Sequence, residues 1–553
     1  MGAIASKIAN YIFKEQKWSL QQPETTYTGT PIEPIKTGLP KTTKSLCPEC
    51  SKIIDALKYE EDGKVYMRKE CPEHGEFKDL LFSNAKLYYK LEQWQFGDNR
   101  GVSNPAIRKA TICPQQCGLC NMHTSHTGLA NIDLTNRCNL TCPICFANAN
   151  TSGYLYEPTL EQVRKMLQAL RNLEPVNCRV VQFSGGEPTI YPHFFEAIAM
   201  AREMGFSHIQ IATNGILFND IDFAYRAKEA GLHTLYLQLD GVGDEVHRKT
   251  RGERIWESKL KTIEVCRKVG LKIVFVPTIV KGFNDHQVGD IVKLAIDNID
   301  VLSGISFQPV AFTGRISRKE LEERRFTISD LTRCVSEQTG WTDEVDDWYP
   351  LNFVSPISKL ISAIRGEETT QLSCHPHCSA GTYLFVGPDK KPVPVTRFID
   401  IGEMMKEVDM MSRHVTKNSS KLYTQIKAWA SLRKYYHQDR TPTDLTFEKF
   451  ILAIQGMIDK KIGRGEAGIQ TYKALLVAGM HFMDSYNYDV ERVKRCVIHY
   501  AAPNGLLYPF CTYNSGIVFR NYIEKKYSQP ISNKTHFGRG CTCRFDSLNN
   551  EVK

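Results

Sequence analysis

The chain has 553 residues, of which 42% are hydrophobic and 24% charged, and its formal net charge at pH 7 is +9. This composition is ordinary for a globular protein of several domains and excludes an extensively disordered or fibrous chain. No apolar run reaches the ~18–20 residues that a membrane-spanning helix requires. The small positive excess permits attraction to an anionic surface, but no RNA-binding or zinc-finger motif accompanies it, so we expect no nucleic-acid partner.

The 18 cysteines are the most informative part of the composition. The N-terminus lacks the pattern of a signal peptide, so we expect a cytoplasmic protein whose thiols stay reduced. Tight groups of thiols in such a chain indicate metal binding or catalysis rather than disulfides.

In chain order, the first feature is a short amphipathic helix predicted within residues 1–43, followed by a Pro- and Thr-rich linker. Such a helix either docks on the protein body or lies on a membrane surface. Residues 44–124 then form a small cysteine-rich unit.

Residues 125–312 alternate between strand and helix patterns. Six such units favour a parallel sheet with crossover helices, curled into a partial (β/α)6 barrel of the α/β class. Residues 313–553 predict a C-terminal α+β region with helices at 418–437, 444–461 and 466–495. The strands predicted in the barrel are 129–135, 179–184, 208–213, 234–239, 272–279 and 304–309, and the helices between them are 159–173, 192–204, 219–230, 256–269 and 286–298.

The strongest motif is TNRCNLTCPICF, which places Cys138, Cys142 and Cys145 in a C-x3-C-x2-C spacing directly after the first barrel strand. Three thiolates in one loop can ligate three irons of a [4Fe–4S] cluster. The fourth iron then stays open to bind the amino and carboxylate groups of a ligand. Because structural metal sites are normally closed, this spacing predicts a catalytic cluster.

A second motif, QFSGGEP, ends the next predicted strand. It places Gly185, Gly186, Glu187 and Pro188 at the carboxyl end of the sheet, where bare backbone can approach a ligand's ammonium group closely. The GGEP motif alone is weak support for a ligand site. Its position one β–α unit after the C-x3-C-x2-C loop makes the combination of the two motifs specific.

Residues 125–312 resemble the core of the radical S-adenosylmethionine (radical SAM) enzymes. The resemblance implies that the three cysteines of the loop bind the cluster and that the GGEP strand binds the methionine part of S-adenosylmethionine (AdoMet). It implies cleavage of AdoMet by one electron to a 5′-deoxyadenosyl radical, which abstracts hydrogen from an unactivated carbon. The further cofactor contacts that it implies are Ile144 on the adenine and the polar positions Thr213, Asn214, Gln238 and Asp240.

The N-terminal unit contains two metal-binding knuckles, Cys47-Pro-Glu-Cys50 and Cys71-Pro-Glu-His74. Two facing knuckles make a tetrahedral mononuclear site for Zn or Fe. This spacing is strong support for a metal but does not select between the two.

A second C-x3-C-x2-C group follows at Cys113, Cys117 and Cys120. It predicts an auxiliary [4Fe–4S] cluster whose fourth ligand is open, with His123 and His126 as candidates. In the alternative, the three thiols share metal with the two knuckles.

The C-terminal region supplies Cys374, Cys378, Cys496 and Cys511. The Asn-Gly pair at 504–505 predicts a hairpin that brings the last two together, so that four thiols fully ligate another auxiliary cluster. This pattern resembles part of the SPASM or twitch extension of some radical SAM enzymes, with fewer cysteines. The remaining cysteines are Cys541 and Cys543, which we leave unassigned, and Cys178, Cys266 and Cys334, which we interpret as buried small apolar residues.

The five-part cysteine layout over residues 47–514 resembles the archaeal tetraether lipid synthases and their bacterial relatives. The resemblance implies joining of the terminal sp3 carbons of two diether phospholipids, with AdoMet, three [4Fe–4S] clusters and one mononuclear Fe or Zn. It also implies a low-potential electron donor such as a ferredoxin and peripheral contact with the inner face of the membrane. The alternative is a radical SAM C-methylase of a methanopterin-type pterin. A non-enzymatic zinc-binding scaffold is a third hypothesis, which the paired CPICF and GGEP motifs disfavour.

Two arguments favour the lipid hypothesis at this stage. Coupling two carbons needs two hydrogen abstractions, and an auxiliary cluster beside the substrate could store the first carbon radical. We also find no dedicated methyl-transfer device, such as a cobalamin domain. Apolar stripes at helical spacing are usually core but also fit a lipid tunnel; they comprise Phe447, Phe450, Ile451, Ile454 and Met457, and Leu475, Leu476, Met480 and Met483.

Overall fold

The computed structural model describes residues 34–97, 100–143, 145, 147, 149–150, 152–312, 322–365, 368–414, 430–441, 445–450 and 473–529. The predicted N-terminal helix, Ile144, Cys541 and Cys543 lie outside the described residues, as do most of the helices predicted at 418–437 and 444–461. No helix in the described ranges is long and apolar enough to cross a membrane.

The N-terminal unit is a four-stranded antiparallel sheet in sequential order. Its strands are β1 (Lys41–Leu46), β2 (Ile53–Glu61), β3 (Lys64–Cys71) and β4 (Gly75–Phe82), and helix α1 (Ala85–Glu92) follows. The side chain of Asn84 caps α1 by accepting from the Lys86 amide.

The centre of the molecule is a larger sheet whose six core strands are parallel and adjacent in the order β5-β6-β7-β8-β9-β11. The strands predicted in the barrel are confirmed with ends that shift by at most two residues, except that the strand predicted at 272–279 is divided into β9 and the short β10. The core strands are β5 (Leu129–Thr135), β6 (Val180–Gly185), β7 (His208–Thr213), β8 (Thr234–Gln238), β9 (Lys272–Val276) and β11 (Leu302–Pro309), with the short β10 (Thr278–Ile279) paired to β11.

Helices connect these strands at the predicted positions, and one helix that the sequence did not predict follows β8. Helix α2 begins with a capping box between Thr159 and Gln162, and α6 ends at Gly270, whose φ of 78° satisfies a left-handed cap. The connecting helices are α2 (Leu160–Arg171), α3 (Phe194–Glu203), α4 (Ile221–Ala230), α5 (Asp244–Arg251), α6 (Trp256–Val269) and α7 (Val288–Asp297).

Alternate residues of the core strands face opposite sides of the sheet. On β5, Ile132 and Leu134 are fully buried in the apolar core shared with the helices. The intervening Asp133 instead accepts a hydrogen bond from the Ser184 hydroxyl on β6, at 2.7 Å. The inner side of the barrel is therefore polar, which suits a polar ligand more than an apolar chain.

The barrel does not close on itself, because both of its edges are extended by later strands. Strand β11 pairs with β14 in parallel, and β5 pairs with β15 in parallel. The added strands are β12 (Ser379–Val386), β13 (Pro392–Pro394), β14 (Lys473–Met480), β15 (Ile498–Ala501) and β16 (Leu507–Pro509). The later helices are α8 (Ile328–Thr339), α9 (Ser355–Arg365), α10 (Ile401–His414), α11 (Val490–Lys494), α12 (Phe510–Asn514) and α13 (Phe519–Lys526).

The helix predicted over 466–495 is wrong. Residues 473–480 form β14, whose backbone pairs with both β11 and β12, and within the described stretch 473–495 the one helix is Val490–Lys494. Leu475 and Val477 are fully buried at the period of a strand. Pairing with two strands overrides the helical spacing, so Leu475, Leu476 and Met480 of the apolar stripe that could have lined a lipid tunnel lie in the sheet, and Met483 lies beyond its end.

Three buried ion pairs, formed by two cations, join the N-terminal sheet to the segment after β14. Arg325 bonds to Asp79 on β4 at 2.8 Å and to Asp484 at 2.7 Å. Lys58 on β2 pairs with Asp489, and both side chains are nearly fully buried. The N-terminal unit is thus part of the same packed body as the barrel.

Candidate active site and metal centres

The cysteine loop begins where β5 ends, and one asparagine organises it. The Asn150 side chain accepts from the Cys138 amide at 2.9 Å and donates to the carbonyls of Cys138 and Leu140. The amides of Leu140 and Ala149 lie 3.4 Å from the sulfurs of Cys138 and Cys145 respectively. Amide hydrogen bonds to sulfur stabilise thiolate ligands, so the loop is prepared for a cluster.

The three thiols of the loop are near enough to influence one another electrostatically, although their sulfurs are not all within 4.8 Å of one another. Burial raises the pKa of the Cys138 thiol, and charges on Glu187, Cys142 and Cys145 raise it further. Three thiols from one loop fit three corners of a [4Fe–4S] cluster, and the donor set provides no fourth protein thiolate.

The glycines of the GGEP motif have a structural explanation that the sequence did not reveal. A Cβ on Gly185 would collide with the Thr135 carbonyl, and one on Gly186 with the Arg137 carbonyl. The Gly186 amide donates to Thr135 O at 2.7 Å, and the Glu187 amide donates to Arg137 O at 2.8 Å. The glycines therefore let the end of β6 pack against the root of the cysteine loop, and their approach to a ligand stays a prediction.

Glu187 connects that end to the next strand. Its carboxylate, almost fully buried, accepts from the hydroxyls of Thr189 and Thr213 at 2.6 and 2.7 Å and from the Asn214 amide at 2.8 Å. Burial raises the pKa of Glu187, and these hydrogen bonds oppose the increase. The side chain of Asn214 in turn donates from its Nδ2 to the side-chain oxygen of Asn139, within the cysteine loop, at 2.7 Å. Three predicted cofactor residues thus form one network around the loop.

Asp240 lies just beyond β8 and is paired with Arg251, a residue that the sequence analysis missed. The guanidinium donates to both carboxylate oxygens, at 2.6 and 2.9 Å. Although burial opposes ionisation, Arg251 holds the pKa of Asp240 at about 2. Burial raises the pKa of the Cys142 thiol, and the adjacent Arg251 opposes this. Asp240 therefore orients the Arg251 guanidinium beside the cysteine loop. The sequence feature that could have indicated Arg251 is the group of basic residues at the end of α5, the helix that follows β8.

Gln238 ends β8 beside a second cation that the analysis missed. The fully buried Lys259 donates to the side-chain oxygen of Gln238 at 3.1 Å and to the Asn214 carbonyl at 2.6 Å. The polar residues predicted at the carboxyl ends of β6, β7 and β8 therefore lie at one edge of the sheet.

The two N-terminal knuckles form the tightest group of potential ligands in the described part of the chain. The ligand atoms of Cys47, Cys50, Cys71 and His74 all lie within 4.8 Å of one another. The hairpin from β3 to β4 carries the last two, and the turn after β1 carries the first two. Four such ligands suit a closed tetrahedral site. The group is complete without Cys113, Cys117 or Cys120, which disfavours metal sharing.

The second C-x3-C-x2-C group also converges. Burial raises the pKa of Cys117 well above its usual value, and charges on Cys113 and Cys120 raise it further. Of the candidate fourth ligands, His123 directs its Nε2 to the Cys496 carbonyl at 2.8 Å and to the His499 ring at 3.0 Å. That nitrogen is occupied by these two partners, and the fourth ligand of the group stays a prediction.

The four C-terminal cysteines come together from both edges of the large sheet. Cys374 and Cys378 precede β12, whereas Cys496 and Cys511 flank the β15–β16 hairpin, which the structure confirms. Burial raises the pKa of Cys511 to about 11, against the effect of Arg492, and charge on Cys378 adds to the increase. Charges on Cys378 and Cys496 likewise add to the effect of burial on Cys374. This donor set fits a fully ligated cluster.

Comparisons with known proteins agree with this geometry. The model of the radical SAM superfamily matches residues 132–295, and that of the HMPTM N-terminal zinc ribbon domain matches residues 39–83. The 7,8-dihydro-6-hydroxymethylpterin dimethyltransferase of Methanocaldococcus jannaschii is 44% identical over 499 residues, covering 89% of this chain and 96% of that protein.

Other similarities are confined to shorter stretches. The GTP 3′,8-cyclase of a Nostoc species is 27% identical over 38% of this chain and 65% of its own length. The Fe-coproporphyrin III synthase of Methanosarcina barkeri is 31% identical over 38% of this chain and 53% of its own length. Among solved structures, SuiB of Streptococcus suis with bound S-adenosylmethionine covers 38% of this chain and 47% of its own at 18% identity, with a TM-score of 0.30.

The barrel, the three-cysteine loop and the core match define a radical SAM protein, which implies AdoMet and a [4Fe–4S] cluster as cofactors. Within that superfamily, the chain belongs to the family of the Methanocaldococcus jannaschii dimethyltransferase, because the similarity spans nearly the whole of both chains. The zinc ribbon match and the Cys3His group agree on a metal site in the N-terminal unit.

These comparisons contradict the predicted lipid coupling and the predicted diether phospholipid partner. The relative that spans nearly the whole chain bears the name of a pterin dimethyltransferase, which agrees with the alternative hypothesis. The cysteine layout specifies metal sites, and metal sites do not select between two substrates that share radical chemistry. The predicted low-potential electron donor stays a prediction, as does contact with a membrane surface.

Proposed function

We propose that the chain is a radical SAM enzyme that methylates a 7,8-dihydropterin carrying a 6-hydroxymethyl group. The observation that carries the proposal is the 44% identity over 96% of the Methanocaldococcus jannaschii dimethyltransferase. The polar inner side of the barrel supports a polar heterocycle as the substrate. In particular, Asp133 bonds to Ser184 there, and the amides of Gln182 and Asn131 bond to each other at 2.8 Å.

In this proposal Cys138, Cys142 and Cys145 hold the catalytic cluster. When bound, the cluster and AdoMet supply a 5′-deoxyadenosyl radical that abstracts hydrogen from carbon. The methyl group that replaces this hydrogen is supplied by a one-carbon donor, either a second AdoMet or another methyl or methylene carrier. The chain's own contribution is positioning: Asn150 shapes the loop, and Glu187 fixes the segment that follows β7. The residues proposed to face AdoMet are Gly185, Gly186, Glu187, Pro188, Thr213, Asn214, Gln238 and Asp240, and Ile144 belongs to the same proposal.

Ten further cysteines, together with His74, are proposed to hold three more metal centres. One mononuclear Fe or Zn occupies the Cys3His group, and because four ligands leave no open position its role is structural. One auxiliary [4Fe–4S] cluster is bound by the 113–120 group, and another by the four C-terminal thiols.

Metal analysis tests these assignments. Anaerobically purified protein should contain about twelve irons and twelve sulfides in three clusters, plus one zinc or one further iron.

Cys50→Ala should remove only the single metal and lower the thermal unfolding midpoint, because a closed site contributes folding free energy. Cys374→Ala should remove about four irons, and Cys334→Ala, at a buried thiol apart from these groups, should remove none. A wild-type sample with only four irons and four sulfides would eliminate both auxiliary clusters.

Substrate analysis tests the reaction. A host that makes the 6-hydroxymethyl dihydropterin and expresses this chain anaerobically should accumulate pterins heavier by one or two methyl groups. A host expressing Cys138→Ala should not, because the catalytic cluster is lost. Unchanged pterins in the presence of folded, fully metallated protein would refute the proposal.

A further inference from the structure

A buried lysine at the AdoMet edge of the barrel has no role in the site as described so far. Lys259 lies in the first turn of α6 and is 0% exposed. Among the described residues, its hydrogen-bond acceptors are two neutral oxygens, the Asn214 carbonyl at 2.6 Å and the Gln238 side-chain oxygen at 3.1 Å. Burial, and then the charge on Arg251, lower the pKa of Lys259 to about 7, although Asp240, Glu187 and Cys142 oppose the decrease. Such a costly group is retained where it performs a task.

The task follows from the chemistry of the two side chains. In its protonated form Lys259 only donates hydrogen bonds, so the Gln238 amide then presents its oxygen to the lysine, as the 3.1 Å contact shows. The amide nitrogen, Nε2, then has to point the other way. It is buried and has no hydrogen-bond partner among the described residues. A buried donor without a partner is costly, which indicates a ligand acceptor at this position.

We infer that Lys259 is a positioning residue that holds the Gln238 amide with its nitrogen facing an oxygen acceptor of bound AdoMet. The hydrogen bond from Lys259 to the Asn214 carbonyl also fixes the segment that follows β7, which Glu187 holds through the Asn214 backbone amide. Without the lysine, the amide can rotate and present either atom. The inference rests on AdoMet binding at this edge, as proposed above.

Equilibrium dialysis of AdoMet against the metallated full-length protein tests the inference. Lys259→Met keeps an unbranched side chain only one atom shorter and removes its donors, and we expect the AdoMet dissociation constant to rise about tenfold, the equivalent of one hydrogen bond. Under turnover, KM for AdoMet should rise while kcat at saturating AdoMet is largely retained. Lys261→Met, at an exposed position of the same helix, is the control and should bind as the wild type does.

A second variant keeps the test valid if Lys259→Met folds poorly. Gln238→Glu retains the bond to Lys259 but offers only acceptor oxygens to the ligand, so AdoMet should again bind about tenfold more weakly, with iron content unchanged. Normal AdoMet binding by Gln238→Glu would overturn the inference, as would normal binding by folded Lys259→Met. Pterin methylation by the wild type is scored separately, so the proposed reaction can fail while the positioning role stands.

Discussion

Replacing Cys142 with alanine is expected to reduce 5′-deoxyadenosine formation below detection. The loop supplies three thiols and no fourth, so the loss of one leaves two ligands for the catalytic cluster. Cys142 is the most sensitive of the three positions, because Arg251 lies beside its sulfur and would face a vacant corner. The measurement is chromatography of the nucleosides formed from AdoMet and a strong reductant under anaerobic conditions.

The matched control is Cys178→Ala. This thiol is fully buried at the start of β6, far from the loop in sequence, and bonds to the Val180 carbonyl at 3.2 Å. It should retain AdoMet cleavage. Robust cleavage by reconstituted Cys142→Ala protein would refute the assignment of the catalytic cluster.

Replacing Arg325 with methionine is expected to destabilise the protein by about 3–5 kcal/mol, because it leaves two buried carboxylates without their counter-ion. Asp79 and Asp484 both bond to this guanidinium, and all three side chains are at most 6% exposed. Burial raises the pKa of Asp79 to about 6 even with the arginine present. The effect should appear as a lower denaturant midpoint for the whole body, because the triad joins the N-terminal sheet to the segment after β14.

The pH dependence of that variant has a defined sign. Arg325 lowers the pKa of both carboxyls, so in its absence burial is expected to hold the pKa of Asp79 further above its value in the unfolded chain. The folded state then binds more protons, so the variant loses stability as pH rises and regains part of it between pH 7 and pH 5. The control is Arg333→Met, whose side chain is 44% exposed and whose ion pairs should contribute about 0–1 kcal/mol. Equal unfolding midpoints for the two variants would contradict this account of the triad.

The barrel could be predicted because its signals are local and repeated. Each core strand is a short apolar run followed by an amphipathic helix, and the ends carry caps such as Thr159. Strand β14 could not be predicted in the same way. Its run KALLVAGM is apolar at both periods, and only the neighbouring strands β11 and β12 select the extended form.

Cysteine spacing predicted the groups of thiols for a related reason. Metal ligands are close in sequence within each knuckle or loop, so the CxxC, CxxH and C-x3-C-x2-C patterns are visible directly. The residues that orient these groups are not visible in this way. Asn150 follows Cys138 by twelve positions, and Arg251 and Lys259 reach the site from helices. Long-range partners of this kind leave no spacing signal.

The class of chemistry was predicted correctly from the sequence, but the substrate was not. The motifs define the cofactor chemistry, which lipid coupling and pterin methylation share. The described residues of the apolar stripes that could have lined a lipid tunnel have structural roles. Leu475 lies in β14, and Phe447 and Phe450 pack in an aromatic core with Phe398. The missing methyl-transfer device was also a weak argument, because it concerned only devices recognisable by sequence.

Deuterium transfer from the substrate tests the central claim most directly. Purified, metallated protein is incubated anaerobically with AdoMet, a reductant and 7,8-dihydro-6-hydroxymethylpterin that carries deuterium on its sp3 carbons. If the chain generates a radical that attacks a pterin, deuterium should appear in 5′-deoxyadenosine, and Cys138→Ala should form none. If the 5′-deoxyadenosine forms at a rate independent of the pterin and contains no deuterium, a pterin is not the substrate of this enzyme.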